Sequence, residues 1–236
     1  MNEITMCFEL AKDLQFLSVN TPPVRTGTLV TIRSNTLYVN WDGDFPTTDQ
    51  YFAGAIVWTS GPSQGLSSGL LGNAADQLYV AGAFTGSHQP QPGDTFQVSG
   101  GPLSRCKVYM IEPDTVAGAG DFLVTVTAVS QSLSWRTMGK KLKAWLNLEK
   151  NFQLEVVCEA PYKVSTDEDL AGTRNDMLDL YLLKEQCEII IVNFRMNEEN
   201  RIRGNGDVES AYAMIQRTGS GQLRHAAIIE FGVTQT

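Results

Sequence analysis

The stretch from Thr26 to Val98 constrains the fold more than any other part of the chain. It runs GTLVTIRSNTLYVNW, a polar acidic loop, YFAGAIVWTSGPSQG, a second polar loop, LYVAGAF and PGDTFQV. Short β-branched and aromatic runs alternate with clusters of Gly, Pro, Asn and Asp, the spacing of a small all-β unit. Leu29, Thr31 and Arg33 alternate with Val30 and Ile32, and Ser34-Asn35 turns the chain into Leu37, Val39 and Trp41. Asp42-Gly43-Asp44 is a further turn. Tyr51 to Trp58 is an apolar run broken by Gly54. It predicts a central strand, with Gly54 marking a bend or the close approach of another backbone. Ser60 to Ala75, rich in glycine and serine, reads as an exposed loop.

Before this stretch, Ile4, Cys7, Phe8, Ala11, Leu14 and Phe16 predict a short amphipathic helix over 4–17. Thr21-Pro22-Pro23 then forces extended backbone. After it, Cys106, Val108 and Met110 keep strand alternation, and Phe122 to Val129 reads as another strand. Residues 1–130 hold 5 basic and 11 acidic side chains, whereas 131–236 hold 13 and 15, so charge density rises near Ser130 and a soft boundary is placed there. Beyond it, Met138, Leu142, Trp145, Leu146 and Glu149 fall on helical spacing after candidate caps Ser132 and Ser134, with Lys140, Lys141 and Lys143 opposite. Gln153 to Cys158 reads as a strand. Cys187 to Met196, CEIIIVNFRM, reads as an interior strand because it is apolar on both faces. Val208, Ala211, Tyr212 and Ile215 predict a short helix capped by Asp207, stopped by Gly219-Ser220-Gly221. The last strand spans Gln222 to Val233. The fold class expected is α+β and β-rich: an N-terminal segment (1–25), a small antiparallel β-barrel or sandwich module (26–130) and an α+β assembly domain (131–236).

Gly27, Thr28, Leu37, Val39, Phe52, Ala53, Gly54, Val57, Thr59, Ser60, Gly61, Gly65, Gly93, Asp94, Phe96 and Val98 carry a resemblance to a β-module that recurs in structural proteins of the neck, tail and fibres of tailed bacteriophages. The order of elements in the second half is similar to that of ring-forming tail-completion (terminator) proteins. The resemblance implies a non-enzymatic virion component, a homo-oligomeric connector or tail-completion ring. Its partners would be copies of itself, other neck and tail proteins, and DNA passing through without specific binding. The alternative is a receptor- or carbohydrate-binding tail or capsid-decoration protein.

Net charge is −8 with 19% charged residues, which argues against an autonomous nucleic-acid binder, because phosphate neutralisation needs clustered Lys and Arg. Cys7, Cys106, Cys158 and Cys187 show no CxxC or Cys/His ligand spacing, so free thiols in a reducing cytosol are expected. No basic segment precedes an apolar core at the N-terminus, and no long apolar run suits a membrane span. Assembly in the host cytoplasm, then residence in the virion, follows as the expectation.

Each candidate site has a plainer alternative fate. His88 and His225 are the only histidines and neither adjoins a nucleophile motif, so a solvated loop and a sheet position are expected for them. Asp42, Asp44 and Asp49 offer oxygen ligands but lack calcium-loop spacing. Thr166-Asp167-Glu168-Asp169, with Asp176 and Asp179, could hold a hard cation, or cap a helix entering at Leu170, the reading preferred. Arg217-Thr218-Gly219-Ser220-Gly221 lies after a helix pattern, the wrong order for a phosphate loop. Trp41, Tyr51, Phe52, Trp58 and Phe84 could stack on sugar or pack a β core. Arg201 and Arg203, among Glu198, Glu199 and Asp207, suit a subunit rim. No residue is assigned a catalytic, cofactor-binding or metal role.

Overall fold

In the computed structural model, the residues described are 3–82, 84, 86–110, 122–137, 146–161, 169–197, 202–203, 209–216 and 223–235. The chain is a β-rich α+β protein in which a six-stranded antiparallel barrel is followed by a mixed sheet carrying one long helix.

Strands β1 (Arg25–Arg33), β2 (Thr36–Trp41), β3 (Ala55–Trp58), β4 (Ser67–Ala74), β5 (Gln77–Val80) and β6 (Thr95–Ser99) close in the order β1-β2-β5-β4-β3-β6. β6 returns to lie beside β3 after the β3-β4-β5 meander, a Greek key. Period-two alternation sends Leu29, Leu37, Val39, Ile56, Trp58, Leu70, Leu78, Val80, Phe96 and Val98 inward. Closure leaves no free edge in this unit. The turn at Ser34 takes φ +56°, the left-handed backbone that a tight hairpin requires.

Two expectations for this unit need correction. The run from Tyr51 is not all strand, because β3 starts at Ala55. Tyr51 N–H is taken by Asn73 Oδ1 at 2.9 Å, and Phe52 and Gly54 donate to Asp49 and Tyr51 carbonyls, so the chain coils before it pairs. The close approach expected at Gly54 is present: a Cβ there would lie 2.7 Å from Ser99 O. Residues Ser60 to Ala75 are not all loop, since they contain β4. Their small side chains serve close packing, for a Cβ on Gly69 would meet Ile189 Cδ1 at 2.8 Å.

Helix α1 (Glu3–Val19) lies where a helix was expected. It packs not in the barrel but in the second core, with Met6, Cys7, Leu10, Ala11 and Leu14 buried there. That core also joins α2 (Asp169–Asn197) to one face of a sheet made of β7 (Lys107–Tyr109), β8 (Leu123–Thr137), β9 (Leu146–Pro161), β10 (Ile202–Arg203), β11 (Glu209–Gln216) and β12 (Leu223–Gln235). Alternate residues Phe152, Leu154, Val156, Cys158 and Ala160 of β9, and Ala227, Ile229, Phe231 and Val233 of β12, face the helices. β7 runs parallel to β8 and the other pairings are antiparallel. β8 passes through residue 130 without a break in the strand, bulging between Ala128 and Ser130.

Three expectations for the second half are overturned. CEIIIVNFRM is helix, the last part of α2. That helix is wedged between the barrel and the sheet, burying Leu180, Leu182, Leu183, Cys187, Ile189, Ile190, Ile191 and Phe194. A helix enclosed on several sides loses the one-sided period that would identify it. ESAYAMIQ is a strand, not a helix, pairing over its whole length with β12. Its eight residues fit either period, and the partner strand decides. Leu146 to Glu149 belong to β9, and Ser132 and Ser134 to β8, while 138–145 lie outside the described residues. An alternation from Leu146 to Ala160, interrupted at Lys150, is the signal, since Leu146, Leu148, Phe152, Leu154 and Val156 all fall on one parity.

Candidate functional site

The joint between the two units is built by two adjacent side chains of α2. Gln186, fully buried, donates from Nε2 to Ala53 O at 2.6 Å and Gly100 O at 2.9 Å, and its Oε1 accepts the Leu103 N–H at 3.0 Å. Glu185 accepts the Gly69 N–H. Burial, with Glu188 adding to it, raises the Glu185 carboxyl above its ordinary range against the opposing effect of that hydrogen bond and of Lys184. Sequence reading missed both residues, because a polar pair in an apolar run has no signature separating a capped joint from a solvated turn of helix.

The aromatic residues considered for sugar stacking do not form a platform. Tyr51 and Trp58 are buried in the barrel, and Trp41, Phe52 and Phe84 are half-buried against the two cores. Trp58 meets Phe84 and Phe96 edge-on at 5.6 and 5.8 Å, and Tyr51 donates its hydroxyl to Pro23 O at 2.7 Å. Core packing absorbs the set.

The titratable candidates are dispersed. His88 is exposed, its Nδ1 3.4 Å from Pro62 O, and His225 sits within β12 opposite Ala160. Asp42, Asp44 and Asp49 lie exposed on one loop, and among the described residues no group of three or more His, Cys, Asp or Glu is arranged to hold a metal ion. The four cysteines are buried thiols; Cys158 and Cys187 approach to 3.6 Å, and that contact, with burial, pushes the Cys187 thiol well up. α2 begins at Asp169, while 166–168, Arg201 and 217–221 lie outside the described residues. Arg203 is in β10, paired with Thr234.

What the fold does gather is a set of surfaces. On the face of the sheet turned away from the helices, Glu230 of β12 stands opposite Glu155 of β9, and in backbone register Glu209 of β11 is the partner of Glu230 on its other side. Glu155 and Glu230 are half-buried. Burial first and then Glu230 raise the Glu155 carboxyl, with a Thr127 hydrogen bond acting the other way. Further along the same face, Glu159 and Arg224 are buried at 0% and 1% exposure as an ion pair 3.7 Å apart.

Helix α1 carries a second apolar stripe that the core does not use. Ile4, Phe8, Phe16 and Val19 are 66%, 53%, 63% and 72% exposed. At its C-terminal end, Phe16 opens onto a groove of about 410 Å³ whose wall includes Asp13, Asp49, Phe52, Ile190 and Asn193. Finally, β8 and β9 outrun their neighbours. β7 pairs only with Leu123 to Thr125, and β12 ends with Gln235 opposite Lys150. Ser134 to Thr137 and Leu146 to Glu149 thus continue as a two-stranded ribbon that no third described strand flanks. Among the described residues no helix is long and apolar enough to cross a membrane.

No protein-family model matches this chain, and no curated protein matches it in sequence.

Proposed function

We propose that this chain is a non-enzymatic structural protein of a tailed-bacteriophage virion, a neck or tail subunit that closes with copies of itself into a ring around the DNA channel. Other neck and tail proteins would be its neighbours above and below. The observation that supports this reading best is the acidic row Glu209, Glu230 and Glu155 in consecutive strand register. Like charges set directly opposite destabilise a sheet. A surface that keeps them at that cost suits a wall that must let duplex DNA pass, since each Lys or Arg contact would add salt-sensitive affinity and retard it. The barrel agrees in sign, with two arginines and five aspartates over 25–99.

The test is duplex binding by the purified protein at physiological salt, beside a Glu155→Lys, Glu230→Lys variant. The expected result is negligible binding by the natural chain and measurable, salt-sensitive binding by the variant. Micromolar binding by the natural chain would overturn the channel reading and favour another role at the virion surface.

A further inference from the structure

We infer that the second sheet runs on from copy to copy, the outer edge of β8 in one chain pairing antiparallel with the outer edge of β11 in the next. This rests on the ring reading above and names the backbone that closes the ring.

The barrel closes on itself, but the sheet ends in two open edges. β11 pairs with β12 on one side, and among the described residues no strand lies on its other side. β7 covers β8 at Leu123 to Thr125, and among the described residues no strand pairs with that side of β8 from Val126 to Thr137. Unpaired edges of this length invite pairing with another chain unless they are blunted or covered.

The register fixes which backbone groups each edge offers. Lys107 donates its N–H to Phe122 O, so Phe122, Val124, Val126 and Ala128, two residues apart, turn their N–H and C=O away from β9. Past the bulge, pairing resumes with Ser130 opposite Gln153, which turns Ser130 toward β9 and Gln131 outward. Val124 stands opposite Cys158, Cys158 opposite Ala227, and Tyr212 opposite Ala227 on the far side. The same alternation, carried across β9 and β12, turns Ser210, Tyr212 and Met214 outward from β11.

Strand direction makes these two edges partners. From β11 through β12 and β9 to β8 every neighbour is antiparallel, so β8 runs opposite to β11. A copy related by rotation about an axis near the strand direction therefore presents its β11 antiparallel to β8, and the alternation continues without a fault. Glu209 is level with Glu230, Glu155 and Thr127 in turn, so an unshifted neighbour would meet β7. Moved along β8 by about six residues, or about 20 Å, its β11 clears β7 and spans roughly Val126 to Leu133. Across four strands, about 19 Å, that shift is a slant of about 45°, close to that of strands in a closed barrel wall. Pairing β8 with β8 about a two-fold axis would leave both β11 edges open. Joining β8 to β11 uses both edges in one contact, and a contact between two different patches closes into a ring when the rotation permits. The helices stay on one face of the continuous sheet, and Glu155 and Glu230 of every copy fall on the other.

The experiment mixes two half-defective proteins. Gln131→Pro removes an outward amide from β8, and Ser210→Pro removes one from β11, the kind of edge position where a strand tolerates proline. Each variant should keep the natural circular dichroism and fail to assemble where the natural chain does. Mixed, they should form a particle of two chains and nothing larger, because each keeps the edge that the other lacks. Amide hydrogen exchange on the assembled natural chain gives a readout that needs no variant. The amides of Val126, Ala128, Gln131, Ser210, Tyr212 and Met214 should exchange as slowly as their inward neighbours. A natural chain that stays monomeric overturns the ring reading and this contact with it. A natural chain that assembles while those six amides exchange freely overturns the contact alone. So does a folded proline variant that assembles like the natural chain, or a mixture of folded variants that stays monomeric.

Discussion

Replacing Gln186 by leucine should be the most damaging conservative-volume change in the molecule. The side chain makes three hydrogen bonds to backbone groups, two as donor and one as acceptor, at 2.6 to 3.0 Å and with no solvent exposure. Leucine would leave Ala53 C=O, Gly100 C=O and Leu103 N–H without that partner. A buried polar group left unsatisfied costs about 1–3 kcal/mol. Because the three share one site and relax together, the total expected is about 3–5 kcal/mol, a large part of the ~5–15 kcal/mol that holds a domain folded. Urea unfolding followed by tryptophan fluorescence and by far-ultraviolet circular dichroism measures it, since Trp58 reports the barrel core. The midpoint should fall sharply. Gln186→Glu gives the sign check. Its carboxylate would face two carbonyls in a buried site, raising its pKa above the unfolded value. The variant should therefore be weakest at neutral pH and recover as pH falls and a donor is restored. A loss below about 1 kcal/mol for Gln186→Leu, or a pH-independent Gln186→Glu variant, would refute the claim that this side chain ties helix to barrel.

Gly54→Val should cost about 1–3 kcal/mol, because the new Cβ would sit 2.7 Å from Ser99 O and 3.0 Å from Tyr51 O, both backbone atoms; an unchanged urea midpoint would show that the approach is not tight. Glu185 has a carboxyl raised in the folded state, so its ionisation lowers stability as pH rises from the ordinary glutamate range through the raised value. Glu185→Gln should flatten that slope and melt higher than the natural chain at neutral pH, with the difference vanishing in acid. The thiols of Cys158 and Cys187 are buried and hydrogen-bonded but not joined by a disulfide, so reductant should leave the melting temperature unchanged and iodoacetamide should label neither before unfolding. Charge reversal at Arg203, on the β10 edge beside β12, should weaken self-association in light scattering without shifting the melt.

The barrel was legible in the sequence because its strands have one wet face and one dry face, so Leu37 and Val39, or Phe96 and Val98, announce themselves by alternation. Gly54 was legible for a steric reason that holds whatever the strand boundary. α2 was not legible, because a helix pressed between Gly69 of the barrel and the Phe152 to Ala160 face of the sheet buries residues on more than one side, while its outward positions carry the apolar Val192 and Tyr181 beside Asp179 and Glu188, which blurs the period. β11 was misread for the opposite reason: Val208, Ala211, Tyr212 and Ile215 suit a helix, and only pairing of 209–216 with β12 selects the strand. Lys140, Lys141 and Lys143 stand out in the sequence as a basic cluster, but they lie outside the described residues. The acidic row joins residues far apart in sequence, which nothing short of the strand order brings together.

The proposed function requires identical subunits to close into a ring. Negative-stain imaging of the purified full chain, with its mass in solution taken by light scattering on the same sample, tests that most directly. The expected result is a single closed ring with a central opening and a mass that is a fixed multiple of 25.9 kDa. A particle of one chain's mass at every concentration tried, or an open filament without a central passage, would contradict it.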